Sequence, residues 1–274
     1  MTGHVYKSTG SWYTVKTDLG YTYECRIKGK FRMQGIKSTN PISVGDVVDF
    51  ELETDNDAET GVIHNIHDRK NYIVRKSVNL SKQTHIIAAN LDQVFLMITI
   101  NNPPTLTSFI DRFLVTAEAY SIKTVLLFNK IDTYDEDTLN EVRFLAHIYR
   151  KIGYECIGVS ATTGKNVDKV KALMLHKTTF AEMFDLSFDA KIIDTPGIKG
   201  FGIVDMEREE IGDYFPEIFK LKQDCKFNNC LHVKEPKCAV KDALENDEIA
   251  YSRYRSYLQM LEGEDEHYRT DIWE

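Results

Sequence analysis

The 274-residue chain has no apolar run long enough to cross a bilayer, and no basic-then-apolar leader follows Met1. A soluble, cytoplasmic protein without a membrane partner is expected. Positive charge is short: 34 basic side chains against 42 acidic leave a net −8, the wrong sign for a simple nucleic-acid coat. Cysteine is scarce as well. Five are present, three of them within 225–238, which suits metal ligation better than a disulfide framework. Cys25 and Cys156 stand alone in strand-like surroundings and are expected to be small core residues. Nowhere does Gly-x-x-x-x-Gly-Lys-Ser/Thr occur, the loop whose amides and lysine cradle nucleotide phosphates. The nearest stretch, Gly158 to Gly164-Lys165-Asn166, has five residues between its glycines where four belong. It also has an asparagine in place of the Mg²⁺-binding hydroxyl.

What remains is ordinary globular composition, with 42% hydrophobic and 28% charged residues and length enough for two or three domains. The acidic excess is local. Residues 1–75 carry ten basic and ten acidic groups, 76–204 fourteen of each, and 205–274 ten basic against eighteen acidic. The chain has an acidic tail region, not an acidic body.

Residues 123–128, Lys-Thr-Val-Leu-Leu-Phe, have the pattern of a strand covered on both faces. The run stops at Asn129-Lys130-Ile131-Asp132, beyond the strand's carboxyl end, where open α/β sheets bind ligands. A carboxylate at Asp132 can accept from a ring N–H and the 2-amino group of guanine together. Adenine offers neither donor and would leave the acceptor unpaired. Asn129 can tie the loop together through its amide, and the Lys130 stem can cover the base. The other reading of these four residues is a polar strand-to-helix turn with Asp132 as its cap.

The next segments favour nucleotide binding. Residues 136–150 show helical spacing of Leu139, Val142, Phe144, Leu145 and Ile148, and 154–159 form a second apolar strand. It ends in Ser160-Ala161-Thr162, whose small residues let backbone N–H groups approach the guanine O6. Further on, Lys191-Ile192-Ile193 runs into Asp194-Thr195-Pro196-Gly197. An Asp there can hold Mg²⁺ through water, and the Gly197 N–H can meet a γ-phosphate. Strands and helices alternating from 93, with a helix at 109–120 burying Phe109, Ile110, Phe113, Leu114 and Ala117, imply a mostly parallel sheet.

Before this part, 3–74 read as short strands at 4–8, 12–16, 21–27, 31–35, 47–52 and 61–66, divided by glycine-bearing turns. That suggests a small closed barrel of OB-fold type. Arg26, Lys28, Lys30, Arg32 and Lys37 form a basic run, with Trp12, Tyr13, Tyr21, Tyr23 and Phe31 near it. Cations on phosphates and aromatics under bases are how such barrels hold RNA; a filled barrel with a solvated rim is the other reading. Residues 67–90 read as a polar connector. After it all, Cys225, Cys230, His232 and Cys238 supply three thiols and one imidazole within fourteen residues. Four protein ligands fill a tetrahedral Zn²⁺ site and leave no open position, so one structural zinc is expected. A last helix at 247–261 should bury Ile249, Tyr254, Tyr257 and Leu258, ahead of a solvated acidic end.

The motifs together resemble a Ras-like G domain with rearranged order, since Asp-x-x-Gly here follows Asn-Lys-x-Asp. That order and the flanking regions resemble the RsgA (YjeQ) family of circularly permuted small-subunit ribosome assembly GTPases. The resemblance implies a multidomain α/β protein: an OB-like barrel at 1–74, a permuted G domain at 75–204 and a zinc-bearing helical region at 205–274. It implies GTP or GDP with Mg²⁺ as ligands and a barrel that contacts ribosomal RNA. Hydrolysis would be stimulated by the small (30S) subunit, and the protein would act as a monomer. Guanine would be held by Asn129, Lys130, Asp132, Ser160 and Ala161, and Mg²⁺ and γ-phosphate by Asp194 and Gly197. Ile198 stands where many GTPases place a water-orienting Gln, which leaves the catalytic residue unassigned.

One departure from the family is large. Phosphate loop, following helix and switch I belong between the helix at 166–175 and the Asp194 strand, and need roughly 35 to 45 residues. Only fourteen stand at 177–190, with no glycine among them. Thr178-Thr179-Phe180 resembles the end of switch I, which puts the seam between Lys177 and Thr178. Either these residues are part of a longer protein that carries the stretch, the favoured reading, or the segment is deleted. Without it the chain should be inactive or nearly so, and a non-enzymatic RNA-binding scaffold is the competing function if the deletion is real.

Overall fold

The computed structural model describes residues 1–27, 41–55, 58–76, 84–174, 183–185, 191–193 and 206–263. Alternation in β1 (Thr2–Ser8) and β2 (Tyr13–Lys16) turns Val5, Tyr13 and Val15 to one face, and a sheet with one apolar face must be covered or close on itself. It closes. With β3 (Thr22–Ile27), β4 (Val47–Asp55) and β5 (Ala58–Ile66) the order is β1-β2-β3-β5-β4, and β4 returns to β1. Among the described strands of the barrel only β3 and β5 pair in parallel. Cys25, Ile42, Val48, Phe50 and Ile63 complete the core. Gly61 is needed there, because a Cβ would lie 2.2 Å from Cys25 Sγ. The expected strand at 31–35 lies outside the described residues.

The segment 67–90 is more than a polar connector. β6 (Tyr72–Lys76) and β7 (Thr84–Ala89) pair antiparallel, with Ile73, Val74, Ile86, Ala88 and Ala89 buried. The charges of Asp68-Arg69-Lys70 mask this apolar content in the sequence. Arg69 itself turns inward and forks both oxygens of the buried Asp46 at 2.6 Å, a bidentate pair.

β8 (Gln93–Ile98), β9 (Lys123–Phe128) and β10 (Glu155–Gly158) form a three-stranded sheet with β9 central and β9–β10 parallel. The crossovers are α1 (Thr107–Ala119) and α2 (Glu136–Lys151), as alternating strands and helices require. α3 (Val167–Met174) follows β10. β11 (Met183–Asp185) pairs antiparallel with β12 (Lys191–Ile193), so among the described residues the strand before Asp194 does not extend the three-stranded sheet. The expected seam, at 177/178, falls outside the described residues.

α4 (Pro216–Lys222), α5 (Ala239–Glu245) and α6 (Tyr251–Glu262) build the C-terminal region, and Gly263 at φ 73° ends α6 in a left-handed cap. Residue contacts divide the chain into two units, 1–93 with 173–199, and 94–172 with 200–274. Within the second unit Val115 of α1 joins the cluster of Ile211, Phe215, Ile218, Val240, Tyr257 and Leu261. This explains why α1 is buried beyond its predicted face, at Asp111, Arg112, Val115 and Thr116 too. Phe144, expected inside α2, is 65% exposed, and Ala146 and Tyr149 take the buried face with Val142 and Ile148. No helix among the described residues is long and apolar enough to cross a membrane.

Candidate functional site

The carboxyl ends of β9 and β10 meet through backbone and one side chain. The Val159 N–H donates to Phe128 O at 2.8 Å, and the Ile131 N–H donates to Val159 O at 3.3 Å. Asn129 ties the two loops: its Oδ1 accepts from the Ala161 N–H at 3.3 Å, while its own N–H donates to Ile98 O on β8. Lys130 sits at φ 65°, in the left-handed region, and the turn closes as Thr133 N–H and Oγ1 both donate to its carbonyl at 2.9 Å. The Lys130 ammonium reaches the carbonyl of Asn102, which lays its stem across the loop.

Asp132 is the decisive residue. A helix cap would have been the bland explanation for it, but the cap of α2 is Asp135, whose carboxylate accepts from Thr138 N–H at 2.9 Å. Hydrogen bonds from the Thr138 hydroxyl and then its N–H hold the Asp135 carboxyl below its ordinary pKa. Asp132 is exposed and accepts no hydrogen bond among the described residues, so its carboxylate is open to a ligand. An acceptor pair beside a lysine stem and a small-residue loop is the arrangement a guanine edge requires.

Ser160 is fully buried and serves the loop itself: its Oγ accepts from Thr163 N–H at 3.0 Å, and its own N–H donates to Lys165 O. Ala161 is exposed at the loop's tip. Asn166 Nδ2 donates to Gly158 O at 2.7 Å, so the segment resembling a phosphate loop is a turn folded back on its own strand. Asp194, Gly197 and Ile198 lie outside the described residues, while the strand expected to deliver Asp194 is present as β12.

On the barrel the aromatic residues divide in two. Trp12 and Tyr21 are 44% and 61% exposed, whereas Tyr13 is buried and Tyr23 packs tilted against Phe50, their ring centroids 5.5 Å apart. Of these four only the first pair can stack on a base, and Phe31 lies outside the described residues. Arg26 is paired with Glu53 at 2.9 Å, which neutralises part of its charge inside the protein; Lys28, Lys30, Arg32 and Lys37 lie outside the described residues.

Cys225, Cys230, His232 and Cys238 converge, their ligand atoms all within 4.8 Å of one another. Cys225 Sγ is 3.6 Å from His232 Nδ1 and 3.9 Å from Cys238 Sγ, and His232 Nδ1 is 3.4 Å from Cys238 Sγ. A tetrahedron with bonds of about 2.3 Å has edges of about 3.8 Å, so the set fits one Zn²⁺. None of these thiols is in a disulfide. Burial lowers the His232 pKa and keeps the imidazole neutral, as a ligand must be. The loop is braced in ways the sequence did not advertise. Glu235 accepts from the N–H groups of Leu231, Val233 and Lys234, and α6 presents Tyr254 and Tyr257, which donate to His232 O at 2.6 Å and Leu231 O at 2.8 Å. Replacing Cys230 with Ser should therefore lose about one zinc per chain and loosen 206–263, while the barrel keeps its own core. Metal analysis with limited proteolysis checks this, and wild-type protein purified without zinc would refute the site.

A second buried constellation joins α1, α2, α4 and α6. Arg253 donates to Asp111 Oδ1 at 2.7 Å and forks Glu217 at 2.7 and 3.1 Å, and the Tyr149 hydroxyl also donates to Asp111 at 2.9 Å. Its partners lie on the helices that pack against one another, so its role is structural.

The family description RsgA GTPase matches residues 66–177, and RsgA N-terminal domain matches 2–63. A protein of Christiangramia forsetii named small ribosomal subunit biogenesis GTPase RsgA is 62% identical, with all of both chains covered. One of the same name from Bacteroides fragilis is 50% identical over 97% of this chain and 98% of its own. The alignment with the C. forsetii protein spans 314 positions against 274 residues here, so the relative carries a stretch without counterpart in this chain. Among solved structures, YjeQ from Thermotoga maritima is 34% identical with TM-score 0.76, covering 96% of this chain and 97% of that one. YloQ, described as a circularly permuted GTPase, is 28% identical with TM-score 0.72, covering 96% and 94%. Identity of this order along the entire length, over a barrel, permuted motifs and a Cys₃His cluster in the same chain, places this protein in the RsgA GTPase family.

Proposed function

We propose that the protein this chain represents, with its phosphate loop in place, is a GTP-binding and GTP-hydrolysing factor of small ribosomal subunit biogenesis, acting as a cytoplasmic monomer on the subunit and its rRNA. The observation that carries the guanine assignment is the exposed, unengaged Asp132 carboxylate beside Asn129, Lys130 and Ala161, with capping duty taken by Asp135. Asp132 accepts from the ring N–H and the 2-amino group of guanine. The Lys130 stem covers the base, and Asn129 holds the Ala161 loop where its backbone can meet O6; Ser160 keeps that loop in shape. Asp194 and Gly197 are assigned to Mg²⁺ and the γ-phosphate, the ion neutralising charge on the phosphate oxygens. Water would then attack the γ-phosphorus in line as its bond to the β–γ bridging oxygen breaks, leaving GDP and inorganic phosphate. With Ile198 in the usual glutamine position, orientation of that water falls to another segment or to the bound subunit, which makes turnover slow until the subunit is present.

Phosphate binding needs the loop this chain lacks. The RsgA GTPase match stops at 177, and the extra stretch of the relative is assigned to the junction after Lys177. The absence of that loop favours a second reading, an RNA-binding scaffold with a nucleotide fold that no longer turns over. The test inserts the relative's stretch after Lys177 and follows phosphate release with and without small subunits. The 274-residue chain should show no turnover, and the completed chain should hydrolyse GTP and be stimulated by subunits. Small-subunit binding with no turnover in the completed chain would establish the scaffold instead.

A further inference from the structure

Asp185, the last residue of β11, reaches across 179 positions in sequence to the first hairpin of the barrel. The Tyr6 hydroxyl donates to its Oδ1 at 3.0 Å, and the Lys16 ammonium donates to its Oδ2. The same ammonium lies 5.3 Å from the Tyr6 ring centroid, so ring and cation are one unit. Register explains the placement. Val5 pairs with Val15 and Lys7 with Thr14, leaving Tyr6 as the extra residue of a bulge, a feature that re-aims a side chain. Burial and the bond to Asp185 raise the Tyr6 pKa, so the hydroxyl stays a donor.

We propose that Tyr6 and Lys16 form a binding site for a backbone phosphate of RNA, and that Asp185 occupies it as an internal competitor. A carboxylate taking one O–H and one ammonium presents the same pair of anionic oxygens as a phosphodiester, and lysine binds phosphate as a point charge. The Lys16 and Asp185 side chains are 29% and 44% exposed, where an ion pair is weak and yields to a polyanion whose binding releases counterions. β11 is also short, held to β12 by three residue pairs, so Asp185 can withdraw without disturbing the barrel. The inference rests on the barrel's role in RNA binding proposed above.

The chain as it stands suffices for the test, a titration of small-subunit ribosomal RNA at several salt concentrations. Asp185→Asn keeps the shape and removes the charge. It should tighten RNA binding by about two- to fivefold at low salt and steepen the slope of log affinity against log salt by about one. Asp185→Ser should do the same, which separates the charge effect from any local packing fault. Lys16→Met leaves a stem over the Tyr6 ring and, added to Asp185→Asn, should cancel both changes. Unchanged affinity and slope in both Asp185 variants, or a gain that survives Lys16→Met, would overturn the proposal while the barrel remained an RNA binder. Failure of wild type and every variant to bind RNA would instead overturn the barrel's role, and this inference with it.

Discussion

Arg253→Ala should cost about 3–5 kcal/mol of stability, a large part of the roughly 5–15 kcal/mol typical of a domain. The guanidinium side chain is 1% exposed, and its partners Asp111 and Glu217 are 0% and 7% exposed. It lies 4.6 Å from the Phe215 ring centroid and 5.8 Å from that of Tyr149, so truncation also removes packing. Most of the cost comes from the two carboxylates left facing a dry cavity without a cation. Burial already holds the Asp111 carboxyl above its ordinary pKa against the pull of Arg253. Without the guanidinium it rises further, so the folded variant takes up a proton where the unfolded chain, with an ordinary carboxyl, does not. Its deficit relative to wild type should therefore shrink as pH falls from about 7 towards 5, the direction linkage gives for a raised carboxyl. Adding Asp111→Leu and Glu217→Leu to an Arg253→Met chain should recover much of the loss, because apolar side chains of similar volume need no cation. Urea unfolding of the three proteins at two pH values measures this, and a deficit below about 1 kcal/mol for Arg253→Ala would show the site to be hydrated and dispensable.

None of that network is legible in the sequence. Arg253 stands in Tyr-Ser-Arg-Tyr-Arg-Ser-Tyr, which looks like a solvated helix face, and its partner Asp111 is 142 residues away. Pairings over such distances leave no local period. The same holds for Tyr6 and Lys16 with Asp185. Local patterns fared better. Alternation and turn residues disclosed the five barrel strands, apolar runs disclosed the strands before Asn129 and Ser160, and ligand spacing disclosed the Cys₃His cluster. Where local patterns failed, a tertiary cause is visible. α6 covers a second side of α1 and buries polar positions that periodicity assigned to solvent, and an inward Arg69 hid the start of the β6–β7 pair. In the loop after β9 the sequence admitted Asp132 as a helix cap, and the side-chain bond to Thr138 N–H shows that Asp135 caps α2 instead. That Ser160 also braces its own loop, its Oγ accepting from Thr163 N–H, left no trace in the spacing.

The second large effect concerns Asp132. Its carboxylate is assigned two hydrogen bonds from guanine, and an amide there can accept only one of them while its N–H₂ faces the 2-amino group. Loss of the pair, with one donor set against another, should weaken GTP and GDP binding by about a hundredfold or more. Xanthine replaces the 2-amino group with an oxygen. In the Asp132→Asn chain the introduced amide donates to that oxygen while its carbonyl accepts from the ring N–H. Selectivity should invert without repacking, since Asp132 is exposed and braces nothing among the described residues. The direct measurement is an equilibrium competition among GDP, ADP and XDP on the chain completed after Lys177, in wild-type and Asp132→Asn forms. GDP should bind far ahead of ADP and XDP in the wild type, and XDP ahead of GDP in the variant. Guanine preference unchanged by the substitution would contradict the assignment of this loop as the base pocket, and with it the reading of the protein as a guanine-nucleotide enzyme.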